Sequence, residues 1–176
     1  MSQSDLQRLL ESLRTADGVE LVPASEYALT GFGEELRVPV ISLGLWGLGL
    51  MSDGVDPATA RTDMVALCMT VAIAPGRLTG LALECDVDAG ERFSMTVGDG
   101  ALRVRSGPSP ASSPTPVACD SGTFLALSLG HEKPSAATEA GRLRVDGDAE
   151  AVGHLFDAFA EAARRHTAVR PAPLTA

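Results

Sequence analysis

Cys119 to Phe159 reads CDSGTFLALSLGHEKPSAATEAGRLRVDGDAEAVGHLFDAF, and its changes of period decide how the chain folds. Asp120 or Ser121 can cap a short helix, because a side-chain oxygen accepts the unpaired N–H groups of a first turn. Phe124, Leu125, Leu127 and Leu129 are that helix's apolar residues. Gly130 supplies the permissive backbone that ends it. Pro134 suits the first position of a second short helix, which runs to Gly141. The period then drops from 3.6 to 2. Arg142, Leu143, Arg144, Val145 and Asp146 alternate as a strand with one buried face does. Gly147-Asp148 turns the chain and caps a third helix, with Val152, Leu155, Phe156 and Phe159 on one face.

Upstream of this stretch the pattern is that of a sheet. Strands are predicted at 78–86, 92–97 and 102–105, and Gly98-Asp99-Gly100 is a hairpin turn between the last two. Phe93, Met95 and Val97 alternate with Arg92, Ser94 and Thr96, so one face is buried. Residues 106–116, SGPSPASSPTP, are expected to be an exposed flexible loop, because prolines cannot sustain a ladder. Residues 115–119 return as another strand. A helix over 58–74 carries Met64, Leu67, Cys68 and Val71 on its apolar side, and Pro75-Gly76 stops it. Asp53-Gly54-Val55-Asp56-Pro57 is dense in turn formers and marks a boundary.

Before that boundary, residues 2–14 follow the i, i+3, i+4, i+7 pattern at Leu6, Leu9, Leu10 and Leu13, an amphipathic helix. Val19–Val22 and Glu26–Leu29 read as a small hairpin. Residues 31–51 are predicted to be one long helix, capped by Thr30 and kinked at Pro39. Gly44, Gly47 and Gly49 weaken it but permit close backbone approach, which suits packing in a dimer. Its apolar run, Val38 to Met51, is shorter than the ~20 residues that span a bilayer.

The composition narrows the function classes. The chain has 176 residues, 45% of them hydrophobic, as a globular chain has. Net charge is −9 and the pI about 4.7, a poor match to nucleic-acid phosphates. Cys68, Cys85 and Cys119 are far apart and odd in number, so neither a zinc site nor a disulfide framework is indicated. With no basic-plus-apolar leader, the expected location is the cytoplasm. Three scattered histidines add no metal-ligand spacing, and no metal or cofactor is expected. There is no G-x-S-x-G, H-E-x-x-H or G-x-x-x-x-G-K, and Asp146-Gly147-Asp148 lacks the downstream ligands of a calcium loop.

Two resemblances cover nearly the whole chain. CDSGTFLAL, AGRLRVDGD and LFDAF, in that order, resemble the C-terminal half of a sterol carrier protein-like domain. That resemblance implies a curved, mostly antiparallel sheet covered by helices around an apolar cavity. The N-terminal stretch, through Tyr27, Leu29, Thr30, Gly33, Leu36, Pro39, Val40, Leu43, Trp46 and Gly47, is similar to HxlR-type winged-helix regulators. In that family the long helix serves in dimerisation, and two helices absent here precede the recognition helix. Residues 1–50 carry seven acids against three arginines, a net of 3 − 7 = −4 on the segment that would face phosphates.

The expected fold is therefore α+β, with three parts: a partial winged helix and long dimerisation helix at 1–52, a sterol carrier-like domain at 58–166, and a disordered tail at 167–176. Its resemblance implies a non-enzymatic, dimeric regulator-like protein binding an apolar small molecule through Phe93, Met95, Phe124, Leu127, Phe156 and Phe159. Gln3, Gln7 and Arg8 would face DNA. The competing expectations are a carrier that has discarded DNA binding and an isomerase or cyclase using the same pocket.

Overall fold

The computed structural model describes the backbone of residues 19–22, 26–50 and 56–168, and the side chains of 30–47 and 56–166. The chain divides into two compact units, residues 1–43 and 44–176. Their boundary falls inside a helix, between Leu43 and Gly44.

In the N-terminal unit, β1 (Val19–Val22) and β2 (Glu26–Leu29) form an antiparallel hairpin pairing Val19 with Leu29. Thr30 then caps α1 (Gly31–Glu35), its hydroxyl accepting from the Gly33 N–H at 3.2 Å. The expected continuous helix is instead broken at Leu36, and α2 starts afresh at Arg37–Leu50. Proline explains the break. With the restart, Pro39 falls in the first turn of α2, where its missing N–H has no intrahelical partner to lose, so no mid-helix kink is needed.

The C-terminal unit opens with α3 (Thr62–Ala72), followed by β3 (Leu83–Asp88), β4 (Arg92–Gly98), β5 (Ala101–Ser106) and β6 (Thr115–Ala118). Then come α4 (Ser121–Leu129), α5 (Pro134–Glu139), β7 (Arg144–Val145) and α6 (Ala149–Ala168). The strand order is β5-β4-β3-β6-β7. All neighbours are antiparallel except β3 and β6, which run parallel. This is an α+β fold with a mixed five-stranded sheet.

Alternation works as the sequence predicts on the central strands. Leu83, Cys85 and Val87, then Phe93, Met95 and Val97, face one core with α3, α4 and α6. Asp99 (φ 53°) and Gly100 (φ 74°) both take positive φ, as the two-residue turn of a twisted hairpin requires. Four expectations differ. Residues 78–82 are turns, not strand: Arg77, Thr79 and Leu81 N–H groups donate to carbonyls three residues back, and Gly76 and Gly80 take positive φ. Met64 is half exposed, and Val65, Cys68, Met69 and Ala72 form the buried side of α3 instead. The strand over 142–146 shortens to Arg144–Val145, because the Arg142 and Leu143 N–H groups donate back to Ala137 at the end of α5. Finally, Thr167 and Ala168 complete α6 rather than beginning a tail; residues 169–176 lie outside the described residues.

Asp120 caps α4. Its carboxylate accepts from the Thr123 N–H at 2.7 Å and the Thr123 hydroxyl at 2.9 Å. Those two bonds hold its pKa below the ordinary aspartate value. A depressed folded-state pKa gives stability that is present above the unfolded value and lost as pH falls through the folded one. Asp120→Ala is expected to cost about 1 kcal/mol at neutral pH. In urea unfolding the gap from wild type shrinks in acid, below about pH 4. A pH-independent gap would show that the charge on the cap contributes nothing.

Candidate functional site

The six residues proposed to line a pocket are all in the core, each no more than 1% exposed. Their aromatic rings pack on one another. Phe93 meets Phe124 edge-to-face at 5.6 Å, Phe124 meets Phe156 at 5.6 Å, and Phe156 meets Phe159 at 5.8 Å. A ladder of T-shaped contacts fills space between sheet and helices. Gln3, Gln7 and Arg8 lie outside the described residues.

Open space lies instead around the β6–β7 side of the sheet. A first cleft, about 290 Å³, sits where β3 ends and β4 begins, beside Gly107-Pro108, on the sheet face that carries Asp86, Asp88, Pro116 and Ala118. Pro116 and Ala118 of β6 also line a second cleft of about 560 Å³, bounded by Gly141, Arg144 and Asp146. Thr138, Leu143 and Val145 are shared in turn with a third, of about 630 Å³, between α5 and α6. The three clefts therefore adjoin one another as a belt around β7. Their linings mix apolar residues, Pro116, Ala118 and Val145 among them, with charged ones such as Asp88, Arg92, Arg144 and Glu139.

Local sequence makes the belt. β7 has only two residues, so the sheet edge is short and leaves β6 accessible. Leu143 is buried beside it and lines the second and third clefts. On α6, Gly153 faces the third cleft with open space where a Cβ would stand.

The loop beside the first cleft is mostly exposed, as expected. The SGPSPASSP loop is tied down: Ser109 N–H donates to Asp86 at 2.6 Å, and the Ser109 hydroxyl donates to Glu84. Both carboxylates alternate with buried Leu83, Cys85 and Val87, so the loop lies across the opposite face of β3. Proline-rich composition precludes a ladder but not docking through side-chain acceptors. Beside the first cleft, Arg92 pairs with Asp88 at 3.1 Å in an exposed position.

Cys85 lies on β3 and Cys119 directly follows β6. Burial, with Asp120 and Asp88 adding to it, pushes the Cys119 thiol up to about 12. Burial likewise raises Cys85 to about 12, despite its bond to the Met95 carbonyl. Burial thus disfavours the thiolate form of both. Among the described residues no cluster of three or more His, Cys, Asp or Glu side chains could hold a metal. None of their helices is long and apolar enough to cross a membrane.

Sequence reasoning missed the belt because its lining comes from loop ends, an edge strand and helix flanks with no shared period. Leu143 and Val145 were singled out, but as one buried face of a strand.

The family described as alkyl sulfatase C-terminal matches residues 58–171. No curated protein matches the chain. Among solved structures, the inverting sec-alkylsulfatase Pisa1 of a Pseudomonas species superposes with a TM-score of 0.54 at 15% identity. That match covers 61% of this chain and 18% of the enzyme, so this chain spans under a fifth of its length. A UbiJ-SCP2 ubiquinone synthesis protein gives 0.42 at 16% identity, over 74% of this chain and 98% of that one. At these identities the sec-alkylsulfatase likeness is one of fold.

Proposed function

The chain belongs to the alkyl sulfatase C-terminal family, and from that premise we propose that its second unit is a binding domain for an alkyl-chain amphiphile. The belt around β7 is the site. It takes the apolar chain along Pro116, Ala118 and Val145, and leaves the polar end beside the charged residues of the lining. The role is that of a carrier or substrate-holding module, with no chemistry at the belt itself.

The observation that carries this reading is the sharing of lining residues between clefts. An elongated path with apolar groups along it suits a long narrow molecule better than a compact one. The solved sec-alkylsulfatase with the same fold supports the choice of an alkyl ligand. Transcription regulation draws no support: the family match starts at residue 58, and the described part of the first 50 residues contributes a hairpin and helices α1 and α2. The sterol carrier-like expectation survives here as a carrier role for the C-terminal unit.

The test is calorimetric titration of the full chain with a series of 2-alkanols and 2-alkyl sulfates, below their aggregation concentrations. Each added methylene that enters the belt contributes up to about 0.8 kcal/mol, so affinity rises up to about fourfold per carbon until the belt is full. Ala118→Trp and Val145→Trp place an indole at the two junctions. Each is expected to weaken binding of the longest ligands by roughly tenfold to a hundredfold, the loss of two or three buried methylenes. Affinity independent of chain length, or unchanged in both variants, would overturn the assignment.

A further inference from the structure

We propose that the belt reads the charge of its ligand's polar end: it takes an alkyl chain carrying a primary ammonium and turns away one carrying a sulfate. This rests on the belt as the binding site and adds the class of head group. The three linings together hold six carboxylates and three basic groups, a net of 3 − 6 = −3 when histidine is counted as neutral. An anion entering the belt meets a repelling field, and a cation an attracting one.

The imbalance lies at one end. In the first cleft the charges are already matched, because Asp88 pairs with Arg92 at 3.1 Å and Asp86 accepts the Ser109 N–H at 2.6 Å. Arg144 and Asp146 offset each other in the second. The third cleft holds Glu139, Glu150 and Asp157 against Lys133. Among the described residues none of these three carboxylates takes part in an ion pair. Glu150, Gly153 and Asp157 follow one another at three and four residues along α6, so they share a face, and Glu139 lines the same cleft from α5. Gly153, between the two α6 acids, leaves open space where a side chain would stand.

Hydrogen-bond polarity agrees. A helix N-terminus is a ready site for sulfate, and α6 begins beside the third cleft. That N-terminus is taken: Asp148 accepts the Ala151 N–H at 2.9 Å, and Glu150 stands in the first turn. The Thr138 hydroxyl donates to the Pro134 carbonyl at 2.9 Å, so it offers the cleft only lone pairs. Three carboxylates and that oxygen are acceptors. A primary ammonium brings three N–H donors to them, and a sulfate brings none. A quaternary ammonium is recognised by aromatic rings, and no Phe, Tyr or Trp lines this cleft.

The experiment is calorimetric titration of the full chain with 2-aminooctane, 2-octanol and 2-octyl sulfate, which share a chain and a branch point, below their aggregation concentrations. The amine is protonated at neutral pH, as a lysine is. In ~0.01 M salt it should bind roughly a hundredfold more tightly than the sulfate, with the alcohol between them. The ratio should narrow in ~0.15 M salt, where exposed charges are screened beyond ~8 Å. A carboxylate about 6 Å from the head shifts the two affinities roughly threefold in opposite directions, so Glu150→Gln and Asp157→Asn should each narrow the ratio about tenfold. Asp99→Asn, which removes the same charge at the β4–β5 turn, should narrow it less than about twofold. A sulfate that binds as tightly as the amine would overturn the inference. So would a preference that neither α6 variant moves, or that Asp99→Asn moves as much, since the −9 of the whole chain would then account for it. Failure of the belt reads differently: affinity is then independent of chain length whatever the head, whereas the head preference is measured at one fixed length.

Discussion

Phe124→Ala should destabilise the C-terminal unit by about 3–5 kcal/mol, the range for deleting a buried aromatic ring and leaving part of its volume empty. Phe124 is the middle of the ladder: it touches Phe93 at 88° and Phe156 at 75°, so two edge-to-face contacts go at once. It is also fully buried, and its helix is held at both ends, by Asp120 at the start and Gly130 at the finish. The neighbours therefore collapse only partly. Against a domain stability of roughly 5–15 kcal/mol this is a large fraction, and it lowers the melting temperature by about 10–20 °C. Phe124→Leu, which keeps most of the volume, should cost about 1.5 kcal/mol or less. Chemical denaturation of the three proteins checks the order. A loss under 1 kcal/mol for Phe124→Ala would mean that the rings border open space, and would return the ligand site to the six core residues.

Gly130→Ala should cost about 2–5 kcal/mol, unusual for adding one methyl group. Gly130 ends α4 at φ 74°, ψ 21°, the left-handed region, where an L side chain costs roughly 1–2 kcal/mol. There is also no room. An added Cβ would stand 2.8 Å from Ala160 Cβ and 3.0 Å from an Arg164 guanidinium nitrogen. Arg164 can swing aside, but Ala160 is fixed on α6, and overpacking of this kind costs about 1–3 kcal/mol. The contact joins the end of α4 to the middle of α6, so this glycine sets how closely those helices approach. Ala160→Gly provides the control. The double variant should recover the steric part, so that the two substitutions are less harmful together than their sum. Strict additivity in urea unfolding would place the whole cost in the backbone of residue 130.

Between Cys119 and Phe159 the sequence was informative because its signals are local. Asp120, Gly130, Pro134 and Gly141 act on the turn they sit in, and each stands at or beside the helix end expected of it. The alternation of Phe93, Met95 and Val97 needs only a strand and one dry face. Pro39 was misjudged because the chain had a cheaper option than a kink, restarting the helix at Arg37. Pro-rich residues 106–116 are mostly exposed as expected, but Ser109 finds its acceptors on β3, some 25 residues back, and no local pattern announces that pairing. The candidate site was the least legible part. A phenylalanine that fills a core and one that borders a cavity obey the same spacing; the difference is whether a second ring arrives at 5.6 Å.

By itself the sequence determined the α+β class of the second unit, the faces its central strands and last helix bury, and the absence of any motif for metal, phosphate or nucleophilic chemistry. Those follow from periodicity and residue type, which act within a few residues. Tertiary structure alone decided where space remains. It packed the aromatic centre ring on ring, brought Pro116, Ala118, Leu143 and Val145 to adjoining clefts, and left Val40 and Leu43 of α2 exposed. Cavities and bare faces arise where elements distant in the chain fail to meet, and that failure is a property of packing rather than of any one stretch of residues.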